Sequence, residues 1–362
     1  MSGCDELQTA LQDGVATITL NRPRALNALT LEMMKAMTAT LTAWEADSEV
    51  KVIVVVGAGD RAFCSGGDVK SIAAARYQPV QREFLQCEYR LDLLISNLAT
   101  PFISVWSGLV MGGGVGISRM GQVRLATEKT VLAMPECGIG LIPDVGATHF
   151  LPLLPGSLGL FLGLTGHRVG GWECRKFGLA SHYVRSEDVP LILEEITRHA
   201  SDPTKLNSIL ATFEQSQPLE NKPEILSGNL KEINVIFSLG TLPEIIQKLK
   251  SSSSDFSRET VDMLEKCSPT SLSIAFHQLR RGAASYKEAL QLEYRWSCTV
   301  VGQADLCKFS CRLMTRRFLD PDFYEGVRAA LIDKDHKPAW SKAEAQIEKY
   351  FERMEEEEEL LL

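Results

Sequence analysis

The stretch from Leu109 to Gly146, LVMGGGVGISRMGQVRLATEKTVLAMPECGIGLIPDVG, constrains this chain more than any other. It follows a short apolar run, Pro101-Phe-Ile-Ser-Val-Trp106, which reads as a buried strand closed by Ser107-Gly108. Gly112, Gly113 and Gly114 then form a strand-to-helix turn with bare N–H groups facing outward. Glycine lets a ligand approach the backbone closely, and a helix start favours developing negative charge. A triple glycine alone is more often a plain tight turn. A second glycine turn, Cys64-Ser-Gly-Gly-Asp68, follows another buried strand, Val50-Lys-Val-Ile-Val-Val-Val56, and changes that balance. Two strand ends that each deliver an N–H can hold one carbonyl oxygen between them, and acyl-transfer chemistry needs such a pair.

Around these turns the chain alternates short strands with helices over its first 190 residues, the pattern of an α/β layer architecture. Val15-Ala-Thr-Ile-Thr-Leu20 alternates as a half-buried strand with Ala16, Ile18 and Leu20 on one face. A helix is expected from near Thr30, with Leu31, Met34, Met37 and Leu41 at helical spacing, and another over about 81–99. Asp68 is placed to cap a helix. Val123–Ala126 and Val131–Met134 read as two further short strands. Beyond Leu191 the pattern turns helical and more polar, with helices near 270–280, 286–300 and 323–332 and a serine run, Ser251 to Ser254, read as a surface linker. The expected division is therefore residues 1–190 as a catalytic core and 191–362 as a mostly helical region completing it.

At 362 residues, 45% hydrophobic and 23% charged, the chain can bury a sizeable core. A net charge of −8 argues against a nucleic-acid surface, and no apolar run approaches the roughly 20 residues of a membrane span. Nine scattered cysteines without a CxxC pair suggest reduced thiols. Cys64, Cys87 and Cys137 lie near the glycine turns and Glu136, where small buried hydrophobes are the expected reading. The six histidines show no HxH or HExxH spacing, so no metal site is expected, and no GxSxG elbow marks a serine esterase. The acidic N-terminus, with no arginine before Arg22, is unlike a transit peptide. Glu355 to Glu359 reads as a solvated helix end.

Two carboxylates stand in apolar surroundings. Glu136 follows Met134-Pro135 and is either a cap or an acid/base group with a raised pKa. Asp144, in Pro-Asp-Val-Gly, is by itself an ordinary turn residue, and Glu88 by itself an ordinary helical side chain.

Taken together, Leu20-Asn-Arg-Pro-Arg-Ala-Leu-Asn-Ala-Leu29, Ala62-Phe-Cys-Ser-Gly-Gly-Asp68, Met111-Gly-Gly-Gly114 and Met134-Pro-Glu136 resemble the crotonase (enoyl-CoA hydratase/isomerase) superfamily. The resemblance implies a crotonase-like ββα spiral core with a helical C-terminal region, an acyl-CoA substrate, and an oxyanion hole made by the N–H groups of Gly67 and Gly113. Hydratases of the family carry a second glutamate two residues after the triple glycine, where this chain has Gly116. The stretches Ala133 to Gly146, Leu164-Thr-Gly166, Ser268-Pro-Thr-Ser-Leu272 and Glu325 to Asp335 resemble instead a thioester-hydrolase branch. That branch pairs Glu136 with Asp144, and Glu88 matches a substrate-contacting position. Implied is hydrolysis of a short 3-hydroxyacyl-CoA, with Glu136 as general base or nucleophile and Glu88, Gly113, Glu136 and Asp144 binding substrate. No cofactor is implied beyond the CoA of the substrate; a homo-oligomer is allowed. The resemblance points to the mitochondrion, with cytosol and peroxisome left open. A hydratase or isomerase, and a non-catalytic binding or assembly protein, are the competing classes. Ser118-Arg-Met-Gly121, where the family has Ser-Val-His-Gly, and a long segment at 300–320 depart from the pattern.

Overall fold

The computed structural model describes residues 4–75, 79–220, 224–301 and 321–341, with Leu360 and Leu362. The acidic run at 355–359 and nearly all of the long segment at 300–320 lie outside the described residues. The chain divides into two compact units. The first comprises Met1–Gly67, Arg90–Ala133 and Arg168–Leu226, and the second Asp68–Tyr89, Met134–His167 and Ser227–Leu362.

The first unit holds both sheets. Strands β1 (Leu7–Gln12), β2 (Val15–Leu20), β3 (Val52–Gly57), β5 (Phe102–Trp106), β7 (Val123–Ala126) and β10 (His182–Tyr183) form a six-stranded sheet in the order β1-β2-β3-β5-β7-β10. Only β1 runs antiparallel to its neighbour. Strands β4 (Ala62–Cys64), β6 (Leu109–Met111), β8 (Val131–Ala133) and β9 (Val169–Gly170) form the second sheet. Each pass of the chain thus lays one strand in each sheet, β3 then β4, β5 then β6, β7 then β8. This is the ββ part of the expected repeat.

Ala16, Ile18 and Leu20 are fully buried, as their alternation requires. On one face of the large sheet Val54, Ile103, Val105 and Leu125 pack against Ile192 and Ile196 of α8 (Val189–Arg198) and Leu210 of α9 (Leu206–Phe213). Each such side chain contributes about 1.5–3 kcal/mol by leaving water. Helix α1 (Leu31–Glu45) starts where expected, the Thr30 hydroxyl accepting from the Met33 N–H at 3.2 Å. Helix α4 (Gly113–Arg119) and α7 (Gly171–Lys176) complete this unit, and α3 (Pro79–Ser96) and α10 (Ile225–Phe237) each contribute residues to both.

The second unit is helical. It contains α2 (Val69–Ala74), α5 (Ala147–Phe150), α6 (Leu158–Thr165), α11 (Leu242–Ser251), α12 (Asp255–Leu264), α13 (Pro269–Arg281), α14 (Tyr286–Val301) and α15 (Pro321–Val327). Asp68 does cap α2, accepting from the Ser71 N–H at 3.3 Å. All eight residues of α6 are buried, and Gly163 lets α13 approach so closely that a Cβ there would lie 2.5 Å from Leu279. The serine run is more than a linker: the hydroxyls of Ser252, Ser254 and Ser257 donate to one oxygen of Glu232, and Ser254 caps α12. Among the described residues no helix is long and apolar enough to cross a membrane.

Candidate active site

Glu88 and Tyr89 lie on α3, Glu136 opens a 3₁₀ turn (Glu136–Ile139) directly after Pro135, and Asp144 sits in the loop before α5. A fourth carboxyl, Glu293 of α14, joins them. Glu88, Glu136 and Glu293 are buried, while Asp144 keeps part of its surface accessible. The second unit therefore brings the three acidic residues expected from sequence into one cluster.

Removing carboxyl groups from water disfavours their charged forms, and neighbouring carboxylates disfavour them further. Burial holds Glu136 well above the usual carboxylate range, with Asp144, Glu88 and Glu293 adding to the effect. Burial likewise raises Glu88 well above that range, reinforced by Asp144. Asp144 is pushed by burial up to about 6, against the pull of a hydrogen bond from Tyr89. Glu293 is pushed by burial up to about 8, although it accepts two backbone hydrogen bonds. Glu136 Oε2 is buried and accepts from none of the described groups. A carboxylate so placed is a stronger proton acceptor than an ordinary one, because its ionised form is disfavoured.

In the first unit, the glycine turns leave the ends of β4 and β6, not those of the longer β3 and β5. These two short strands are parallel neighbours, Ala62 facing Leu109 and Cys64 facing Val110, so their C-terminal ends emerge side by side. Gly66 has φ +106° and Gly112 φ +48°. A Cβ at Gly66 would lie 3.5 Å from the Gly113 nitrogen, and one at Gly114 only 2.4 Å from the Cys64 carbonyl oxygen. Gly113 is the first residue of α4, ahead of the intrahelical ladder. Among the described residues, neither the Gly67 nor the Gly113 N–H is taken up by another part of the chain. The two donors expected from sequence thus come from adjoining turns.

Cys64 and Cys137 are buried. Burial pushes the Cys137 thiol well above its ordinary value, which suits an inert packing role. Tyr89 and Glu293 are site residues that the sequence does not single out. Both fall on apolar helical stripes, Tyr89 with Leu85 and Glu293 with Tyr286 and Leu290. A charged residue inside such a stripe is the signal that marks Glu293.

A family model described as enoyl-CoA hydratase/isomerase matches residues 15–353. The chain is 41% identical to the mitochondrial 3-hydroxyisobutyryl-CoA hydrolase of Danio rerio over 328 residues, covering 89% of this chain and 81% of that protein. It is 40% identical to the Homo sapiens protein of the same name over 333 residues, covering 90% and 82% respectively. Among solved structures, a carnitinyl-CoA dehydratase from Mycobacterium thermoresistibile superposes with a TM-score of 0.85 at 32% identity, covering 99% of both chains. The fold is the crotonase-like one that the motifs implied, and the chain belongs to the enoyl-CoA hydratase/isomerase family.

Proposed function

We propose that this protein hydrolyses the thioester of 3-hydroxyisobutyryl-CoA, releasing 3-hydroxyisobutyrate and CoA in valine breakdown. The observation that carries the reading is buried Glu136 beside Asp144, its pKa raised and one oxygen accepting from none of the described groups. Relatives about 40% identical over about nine-tenths of the chain bear the hydrolase name. They are also named mitochondrial, and the proposal extends to that compartment.

In this reading Glu136 takes a proton from water as its oxygen attacks the thioester carbonyl. The N–H groups of Gly67 and Gly113 receive the oxyanion, a contribution of about 2.7–4 kcal/mol per donor. Collapse of the intermediate breaks the C–S bond, and the proton held by Glu136 passes to the departing thiolate. Attack by the Glu136 carboxylate itself, through a transient anhydride that water then opens, is the alternative route to the same products. Asp144 and Glu88 orient the water and the 3-hydroxyl. No metal or redox group takes part.

The test is free-thiol release from a panel of short acyl-CoA thioesters, with wild type beside Glu136→Gln. Fast release from 3-hydroxyisobutyryl-CoA that falls by about 10²–10⁴-fold in the variant supports the reading. Isobutyryl-CoA, which lacks the hydroxyl, should react up to about 10⁴-fold more slowly, and equal turnover would remove the roles of Glu88 and Asp144. A second reading, reversible water addition to an enoyl-CoA, draws on the dehydratase name of one structural neighbour. It predicts a changed acyl group with no CoA released.

A further inference from the structure

The loop that carries Asp144 is held from a distance. Val145 has φ +51° and Gly146 φ +90°. A β-branched residue adopts the left-handed region only when its surroundings over-determine it. Those surroundings come from α13 and α14, more than 130 residues downstream in sequence. Glu293 accepts hydrogen bonds from the Gly146 N–H (2.6 Å, Oε2) and the Thr148 N–H (2.7 Å, Oε1). The Tyr286 hydroxyl donates to the Val145 carbonyl at 3.2 Å. Gln278 Nε2 donates to the Pro143 carbonyl and, at 2.8 Å, to the Thr148 hydroxyl. The Pro143 carbonyl before Asp144 and the Val145–Gly146 peptide group after it are therefore held by three side chains, and Glu293 makes two of the contacts to this loop.

We propose that Glu293 is a positioning residue for Asp144: by holding the Gly146 and Thr148 N–H groups it fixes the left-handed Val145-Gly146 pair and hence the direction of the Asp144 side chain. The inference rests on the reading that Asp144 acts in thioester hydrolysis. Glu293 does not touch substrate in this role. It is a buried carboxyl that the hydrolytic chemistry leaves without a task, and its two hydrogen bonds from the loop backbone give it one.

The experiment is a double-mutant cycle on acyl-CoA hydrolysis by the full chain. Glu293→Gln keeps the shape but sets an NH₂ group against one of the two N–H donors. It should lower kcat by about tenfold to 100-fold, as a misplaced reacting group does, with KM nearly unchanged. In an Asp144→Asn background the same substitution should lower kcat no further. Wild-type kcat in folded Glu293→Gln, or a loss that multiplies in full with that of Asp144→Asn, overturns the proposal. Full activity in Asp144→Asn alone overturns the role of Asp144 and the proposal with it, and is distinguishable because Glu293 is then intact. Should Glu293→Gln fail to fold, Tyr286→Phe loosens the same loop by one contact. It should show a smaller loss of kcat that also disappears in the Asp144→Asn background, and an unchanged or fully multiplicative kcat there counts against the proposal.

Discussion

Tyr89 donates its phenolic hydrogen to Oδ2 of Asp144 at 2.6 Å, from a fully buried ring set edge-on to Tyr294. The bond favours the ionised carboxylate and opposes the burial that lifts Asp144 to about 6. Tyr89→Phe removes the donor and keeps the ring. Hydrogen bonds to charged groups contribute about 1.5–3 kcal/mol, so the Asp144 pKa should climb by about one or more. The acid limb of the kcat profile then moves to higher pH, and activity at neutral pH falls. An acid limb at the same pH as wild type would show that Asp144 ionisation does not control the rate.

Stability should respond to pH with a sign unusual for carboxyl groups. Asp144 and Glu293 are raised above their ordinary values of 3.8 and 4.5, to about 6 and about 8. Their contribution is fully present below the ordinary range and is lost as pH rises through those raised values. Each group supplies at most about 1.4 kcal/mol per pH unit across its window. Urea denaturation of wild type and Glu293→Gln should therefore show wild type losing ground to the variant between about pH 5 and about pH 8. A constant difference across that range contradicts the assignment.

Gly146→Ala should destabilise the second unit for two separate reasons. The residue has φ +90°, and a Cβ would come within 1.9 Å of the Tyr286 ring. The backbone penalty alone is about 1–2 kcal/mol, and displacement of Tyr286 adds to it. Thermal unfolding measures the sum, and pairing the change with Tyr286→Ala should recover the steric part but not the backbone part.

Gly114→Ala probes the glycine turns. Its Cβ would meet the Cys64 carbonyl oxygen at 2.4 Å, forcing the ends of β4 and β6 apart. If the Gly67 and Gly113 N–H groups share one oxyanion, kcat should fall by about 10²–10³-fold. Unchanged kcat in a folded variant would remove the oxyanion role from this pair of turns.

What the sequence made legible follows from how local each feature is. Leu31, Met34, Met37 and Leu41 mark α1 because helical spacing is a short-range property, and Ala16, Ile18 and Leu20 mark β2 in the same way. Strand β1 carries Leu7, Thr9 and Leu11 in alternation, yet Leu11 is 48% exposed on an edge, so its apolar signal is weak. The triple glycine was readable, but its strand was not. β6 spans three residues, too few for periodicity to register, and so from sequence the turn reads as the end of β5. Glu136 and Asp144 were visible as carboxylates in apolar surroundings. Glu293 shows only as a charge inside an apolar stripe and Tyr89 not at all, because a hydrogen bond spanning 55 residues of sequence, or 147, leaves no local trace of its partner. Only the family motifs carried Gly67 and Gly113 to named roles.

The first unit is assembled from three separate stretches, the last ending at Leu226, and β10, which closes its large sheet, arrives only at His182–Tyr183. The 56 residues that separate Ala126 from His182 take a ribosome adding about 5–20 residues per second roughly 3–11 s. Throughout that interval the parallel edge of β7 has no strand to pair with, and the nascent chain presents it to any other strand nearby. Synthesis is thus the stage at which the edge at residues 123–126 stands open to mispairing, and the emergence of residue 183 is what closes it.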